Sequence, residues 1–249
     1  MMHRLLAGLL CVLAGLAQAG EPLEVFAHSL DGAAEWHDGQ PRPLVAGGMR
    51  AFSLALTLRL LAGQPRPYTV REVPMTRGIQ LLGMPHPVLL IGQFRTPERE
   101  PLYRWIGPLF TDQTLLYQAA QRPVAAHALA EASGLPVCAV RGGTHALRLR
   151  TLGFIDIALA PSYATCLRML AAGRVRLAAV VRGDFPARLR EAGLAPGSIT
   201  PSGLVLLSAD NYIVASLALP AAEADALNHQ LAALRASPEY EQLRRLYWP

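Results

Sequence analysis

The stretch Phe94–Leu109, FRTPEREPLYRWIGPL, joins an apolar run to a dense patch of charge, and the rest of the chain is read outward from it. Ahead of it, Pro87 to Gly92 (PVLLIG) has the continuous apolar character of a strand buried in a parallel sheet. Arg95 to Glu100, with Pro97 among them, then ends that strand. The charges therefore fall at the strand's carboxyl edge, where open α/β sheets bind ligands and where a planar guanidinium suits a carboxylate or phosphate. The same alternation of Arg and Glu also suits a solvated loop paired with itself, each pair contributing about 0–1 kcal/mol. On these residues alone both readings stay open.

RTPERE followed by YRWIGPL resembles a segment of the periplasmic solute-binding proteins of the amino-acid type (family 3), in a divergent proteobacterial branch of the substrate-binding proteins of ABC transporters. The resemblance implies an α/β fold of two lobes, each a doubly wound sheet, with two crossovers between them. In that family a T-x-x-R element opens the cleft and its arginine grips the ligand's carboxylate. Carried over, this role falls to Arg99, with Thr96 as a neighbouring hydroxyl.

The chain begins with a pattern for export. His3 and Arg4 precede an apolar core, Leu5 to Leu16, and Ala17-Gln18-Ala19 is a small-residue cleavage site. That core is shorter than the roughly 20 apolar residues of a spanning helix, so residues 1–19 are expected to be removed as a signal peptide. The mature protein would start at Gly20 and be soluble in the periplasm. Gly8-Leu9-Leu10 before Cys11 is not the usual lipobox, which argues against lipidation.

Composition fits a globular product, with 52% hydrophobic and 16% charged residues. The formal charge is +5 and all 23 basic residues are arginine. An excess of positive charge in an envelope protein favours anionic ligands or a membrane surface. The arginines are scattered and form no basic run interleaved with aromatics, so nucleic acid is not an expected partner. His37 and His86 have no second metal ligand at useful spacing, and neither metal nor cofactor is expected. A hydrolase is disfavoured, for there is no G-x-S-x-G, no H-E-x-x-H, and no lysine to complete Ser-x-x-Lys.

Leu23 to Ser29 reads as the first strand, residues 30–43 as a loop, and Gly47-Gly48 as the opening of a helix ending at Gly63. Residues 68–73 form the next strand, and a short helix from Met75 to Leu82 leads back to the strand before Arg95. Trp36 lies in the loop where the family often places an aromatic wall for the ligand; capping the edge of the core is the plain alternative. Leu115 to Gln118 reads as a short strand, after which residues 120–123 carry the chain into the second lobe.

There, residues 124–133 are helical by composition, and PVCAVRGGTHALRLRTLG reads as a strand, a Gly-Gly-Thr turn and a helix closed by Gly153. A glycine turn feeding a helix start offers free N–H groups to an anion. The resemblance assigns Gly143 and Thr144 to the Gly-Thr that faces the carboxylate from lobe two. A strand from about residue 154, a helix capped by Ser162, and a third strand from about Arg174 follow. Met169 to Val175 resembles the family's M-L-x-x-G-R-[VI]. The family's acidic residues after that motif, which hold the ligand's ammonium, are replaced by Arg176 and Val181, with Asp184 out of step. A helix at 185–192, strands at 203–208 and 212–219, and helices from 221 to 248 broken near Pro238 complete the pass.

The expected organisation is lobe one at residues 20–120 and 210–249 and lobe two at 121–209. A monomer is expected to capture a small anionic or polar solute, other than a standard α-amino acid, for an ABC permease or a sensor protein in the inner membrane. A ligand-sensing or assembly protein that keeps the fold without transport is the alternative. If lobe two has the strand order 2-1-3, the helix at 162–172 crosses over the strand at 136–141 and brings Cys166 near Cys138. Whether they bond stays open, since cysteine is also an ordinary buried residue.

Overall fold

The computed structural model describes residues 22–247. The proposed signal peptide, Cys11 and Trp248 lie outside the described residues. The strands are β1 (Leu23–Ala27), β2 (Ala34–His37), β3 (Gln40–Pro43), β4 (Tyr68–Glu72), β5 (Val88–Phe94), β6 (Arg104–Ala119), β7 (Val137–Val140), β8 (Ile157–Ala160), β9 (Leu177–Val181) and β10 (Ile199–Ala215). The helices are α1 (Gly48–Leu61), α2 (Met75–Leu81), α3 (Leu129–Ala132), α4 (Thr144–Thr151), α5 (Tyr163–Ala171), α6 (Phe185–Glu191), α7 (Ala221–Arg235) and α8 (Pro238–Tyr247).

Eight strands form one sheet in the order β4-β1-β5-β10-β6-β9-β7-β8, and β2-β3 is a separate hairpin. Strands β4, β1 and β5 are parallel to one another, as are β8, β7 and β9. Between these two groups run β6 and β10, 16 and 17 residues long and antiparallel. One core packs α1, α7 and α8 against β1, β5 and the near halves of β6 and β10, with Phe52, Leu89, Ile106 and Leu227 at its centre. A second, on β7 to β9, holds Tyr117, Cys138, Cys166 and Leu170 on one face and Leu116, Val137, Leu149 and Leu177 on the other. These two cores are the lobes, and the paired long strands join them.

Local chemistry accounts for the main elements. Helix α1 is buried along most of its length, and its hydroxyls are satisfied inside the helix: Ser53 donates to the Met49 carbonyl at 2.9 Å and Thr57 to that of Ser53 at 2.7 Å. Strands β5, β7 and β9 are almost wholly buried, as parallel strands covered on both faces must be. Ser162 caps α5, its hydroxyl accepting from Thr165 N at 3.2 Å. Tyr163, Cys166, Leu167 and Leu170 then form the buried stripe of α5. Order β8-β7-β9 lays that stripe on β7, and Cys138 and Cys166 form a disulfide with Cα atoms 5.4 Å apart.

Several expectations are corrected. Residues 34–43 form a hairpin rather than a loop, because Asp38-Gly39 supplies a two-residue turn. The segment 124–133 is helical only over Leu129–Ala132. The short strands expected at 115–118 and 203–208 are parts of β6 and β10, and the one expected at 212–219 is the end of β10, which stops at Ala215. Polar residues such as Thr111–Thr114 and Ser208–Asn211 interrupt the apolar pattern without interrupting the ladder, which pairs Ser208 with Gln113 and Asn211 with Phe110. The third strand of lobe two starts at Leu177, three residues later than expected.

Candidate functional site

A cavity lies where the lobes meet. Lobe one contributes the end of β1, the start of α1 and the end of β5; lobe two contributes the first residues of α4 and α5 and the segment Val181 to Arg188; Asn211 of β10 closes the back. About 70 Å³ of it admits the centre of a water-sized sphere, room for several waters or a small solute. Gly92 sits beside a bulge in the β5–β10 pairing with a φ of 78°, a conformation that favours glycine, and the bulge re-aims Gln93 and Phe94 at the cavity.

Arg99 follows β5 and is 6% exposed. Its Nη1 donates to the Phe94 carbonyl at 3.1 Å and to Thr144 Oγ1 at 2.7 Å, and its Nη2 donates to Gln93 Oε1 at 3.1 Å. The guanidinium also lies 5.4 Å from the Tyr103 ring and 5.7 Å from that of Trp105. Burial lowers its pKa from the usual arginine value. The structure thus brings together two residues singled out in the sequence, Arg99 and Thr144, in one bond between the lobes. Gly143 and Thr144 border the cavity, whereas Arg99 and Thr96 stand behind Gln93, Phe94 and Thr144 and do not line it. Thr96 is buried and its carbonyl accepts from Arg99 N at 3.0 Å. Trp36 is elsewhere: it is 43% exposed on the hairpin, paired with Pro41, and does not border the cavity.

The charges that do line it were not singled out. Arg50 of α1 donates from Nη1 to the carbonyls of Ser29 and Asp31, the latter at 2.8 Å, and from Nη2 to Glu191 Oε1. Arg188 of α6 donates from Nη1 to Glu191 Oε2 at 3.2 Å and to the Ser29 carbonyl at 3.4 Å, and its Nη2 lies 3.5 Å from Asp184 Oδ2. Its guanidinium stacks 4.7 Å over the Tyr163 ring. Two guanidiniums and two carboxylates thus neutralise one another across the lobe boundary. The signal was present: an arginine inside the apolar run MRAFSLAL, and Asp184, Arg188 and Glu191 at helical spacing.

Two histidines stand at the same cavity. His145 is 3% exposed and its Nε2 is 2.8 Å from Thr114 Oγ1; burial, then the Arg99 charge, lowers its pKa to about 4. Burial, followed by the charges of Arg188 and Arg50, lowers that of His28 to about 3. Both are therefore neutral at ordinary pH.

Three of the solved structures that match are similar in fold along nearly their full length. A histidine kinase sensor domain with similarity to periplasmic binding proteins matches with a TM-score of 0.76 and 21% identity, covering 92% of this chain and 96% of that one. The fold is that of the periplasmic binding proteins. An ancestral arginine-binding protein bound to arginine has the same periplasmic-binding-protein fold, with a TM-score of 0.73 and 13% identity over 92% of this chain and 98% of that one. The substrate-binding protein of an amino acid ABC transporter follows at 0.71 and 13%, over 91% and 99%. No protein-family profile and no curated protein matches the sequence. Among the described residues, no helix is long and apolar enough to cross a membrane.

Proposed function

We propose that this chain is an exported solute-binding protein that captures a small polar molecule between its lobes and presents the closed form to an ABC transporter. One observation carries the reading: the cavity is walled by both lobes, and its polar side chains already reach from one lobe to the other. A solute touching both walls favours the closed arrangement by its differential contacts, which is how binding becomes a conformational signal. Neutralisation of Arg50 and Arg188 by Asp184 and Glu191 moves the expected ligand away from a simple anion and toward a polar solute of low net charge. A sensory role for the same closure is the second reading, favoured by the match to a sensor domain.

The test is a thermal-shift screen of residues 20–249 against amino acids, amides, organic acids, phosphonates and polyamines, with X-ray scattering on every hit. A ligand at 100 times its Kd adds about 2.7 kcal/mol. For a chain of this size that raises the midpoint by roughly 5–10 °C. A panel with no hit and no change in scattering would reject solute capture.

A further inference from the structure

We propose that the far end of lobe two, the end turned away from the cavity, is a basic face that docks on an anionic lipid surface. This face is separate from the cavity and goes beyond solute capture. Residues 121–209, which carry lobe two, hold ten arginines against four acidic residues, a formal +6. Residues 20–120 and 210–249 hold twelve against fourteen, a formal −2. The excess positive charge of the chain therefore sits on one lobe, and a field so divided orients a molecule toward a negative partner.

Topology gathers half of those ten arginines at one place. Strands β7, β8 and β9 are parallel, and the segments beyond their carboxyl ends, at Gly143-Thr144, Tyr163 and Val181 to Arg188, wall the cavity. Their amino ends face the other way, and α4 and α5, which start at the cavity, finish there. Arg174 and Arg176 lead into β9, and Arg150 and Arg168 stand in the last turns of α4 and α5. Arg122 arrives from the crossover between the lobes, and its Nη2 donates to the Ala171 carbonyl at the end of α5 at 3.0 Å. Arg176 Nη2 donates to the Pro123 carbonyl at 3.2 Å, which ties the crossover to the same end. Arg122, Arg150, Arg168 and Arg174 are exposed and Arg176 is half-buried. Among the described residues none of these five shares a salt bridge. Arg59, Arg66, Arg71, Arg95 and Arg244 of lobe one, by contrast, are each paired with a glutamate. The acidic residues at this end of lobe two are Asp156 and Glu131, and Glu131 accepts from His127 N at 2.8 Å.

The partner that fits is a plane. Helices α4 and α5 cover opposite faces of the sheet, so Arg150 and Arg168 are separated by the thickness of the lobe, with Arg174 and Arg176 at the strand entry between them. An acidic peptide follows one groove and would reach only part of this set, whereas a layer of lipid phosphates meets all of it. Guanidinium forks also suit phosphate oxygens. Ile155, two residues before β8 at the same end, is 84% exposed. An aliphatic side chain projecting among arginines matches a charged headgroup layer with hydrocarbon beneath it.

The test is flotation of residues 20–249 with vesicles of phosphatidylcholine and phosphatidylglycerol, two to one, beside vesicles of phosphatidylcholine alone. Binding is expected to the mixed vesicles only. It should disappear between about 0.01 M and about 1 M salt, as the screening length falls from about 30 Å to about 3 Å. Each arginine near an anionic surface strengthens binding about fivefold, so Arg150→Gln with Arg168→Gln and Arg174→Gln should weaken it about a hundredfold. Ile155→Ser should weaken it severalfold. Arg42→Gln with Arg77→Gln and Arg245→Gln removes the same charge from exposed positions of lobe one and should cost less than about fivefold. Circular dichroism confirms the fold of each variant. No binding to the mixed vesicles, equal losses in the two triple variants, an Ile155→Ser variant that binds like the parent, or tighter binding to polyglutamate than to the vesicles would overturn the assignment. None of the substituted residues borders the cavity, so failure of docking leaves solute capture standing.

Discussion

Arg50 and Glu191, 141 residues apart in sequence, share a charged hydrogen bond across the boundary between the lobes. With Arg188 returning from lobe two to the Ser29 carbonyl of lobe one, the two sides are clasped in both directions. The contact between the lobes is therefore supported by the chain's own charges.

Arg50→Met is expected to loosen this clasp. Removing one partner of a buried pair costs about 3–5 kcal/mol when the remaining charge is stranded; here Arg188 still covers both carboxylates, so about 2–3 kcal/mol is expected. The melting midpoint should fall by roughly 4–12 °C, and scattering should report a more open average shape. Unchanged values for both would show that the clasp carries no weight.

Gly142 precedes α4 with a φ of 75°, and a Cβ there would stand 2.9 Å from Thr76 Oγ1 and 3.3 Å from Thr76 Cα in lobe one. The Thr76 hydroxyl donates to the Arg141 carbonyl at 3.3 Å across the same contact. Gly142→Ala should cost about 1–2 kcal/mol through the left-handed backbone and should also hinder closure. Adding Thr76→Ala should relieve the second effect and not the first, so urea melts and scattering on the double-mutant cycle separate them.

The disulfide closes a 28-residue separation inside lobe two, and both cysteines are fully buried. The loop-entropy relation gives about 3–4 kcal/mol for a loop of that length. Cys138→Ala with Cys166→Ala should lower the urea midpoint accordingly. In the native protein, reduction of this buried bond by dithiothreitol should track opening of lobe two rather than reductant concentration.

His145 faces Arg99, Thr114, Phe94 and Tyr163, and it titrates near pH 4 when folded against about 6.5 when unfolded. Between these values the unfolded chain binds more protons, so stability is intact above pH 6.5 and declines as pH falls toward 4. The slope is up to about 1.4 kcal/mol per pH unit for this group. His145→Gln should flatten the stability profile between pH 4 and 6.5 relative to the parent, as read by urea melts; equal slopes would refute the burial of a neutral imidazole.

The parallel strands and α1 were legible because burial on both faces writes long apolar runs into the sequence, as in LEVFA, VLLIG and LAAVV. The two long strands were not, since their polar middle residues cross between cores and imitate turn signals. The site was half legible. Arg99 and Thr144 were visible through their motifs, but a sequence does not tell which side of a strand end an arginine takes, and Gln93 and Phe94 stand between Arg99 and the cavity. Arg50 fell inside the helix expected from Gly47-Gly48 and was not distinguished from its neighbours. Its carboxylate partner, 141 residues away, became visible only when the lobes were set together.

Strands β6 and β10 are laddered to each other through both lobes, so the lobes cannot swing on two independent strings; they must flex as one ribbon. The β6–β10 pairing slips between Pro201 and Val205, between Val205 and Leu207, and between Asn211 and Ile213, and the last of these overlaps the slip between Tyr212 and Val214 on the β5 side. Asn211 lies at that overlap and borders the cavity. A solute filling the cavity would therefore press on the ribbon at one of its irregular points, and its release would free the ribbon to bend there.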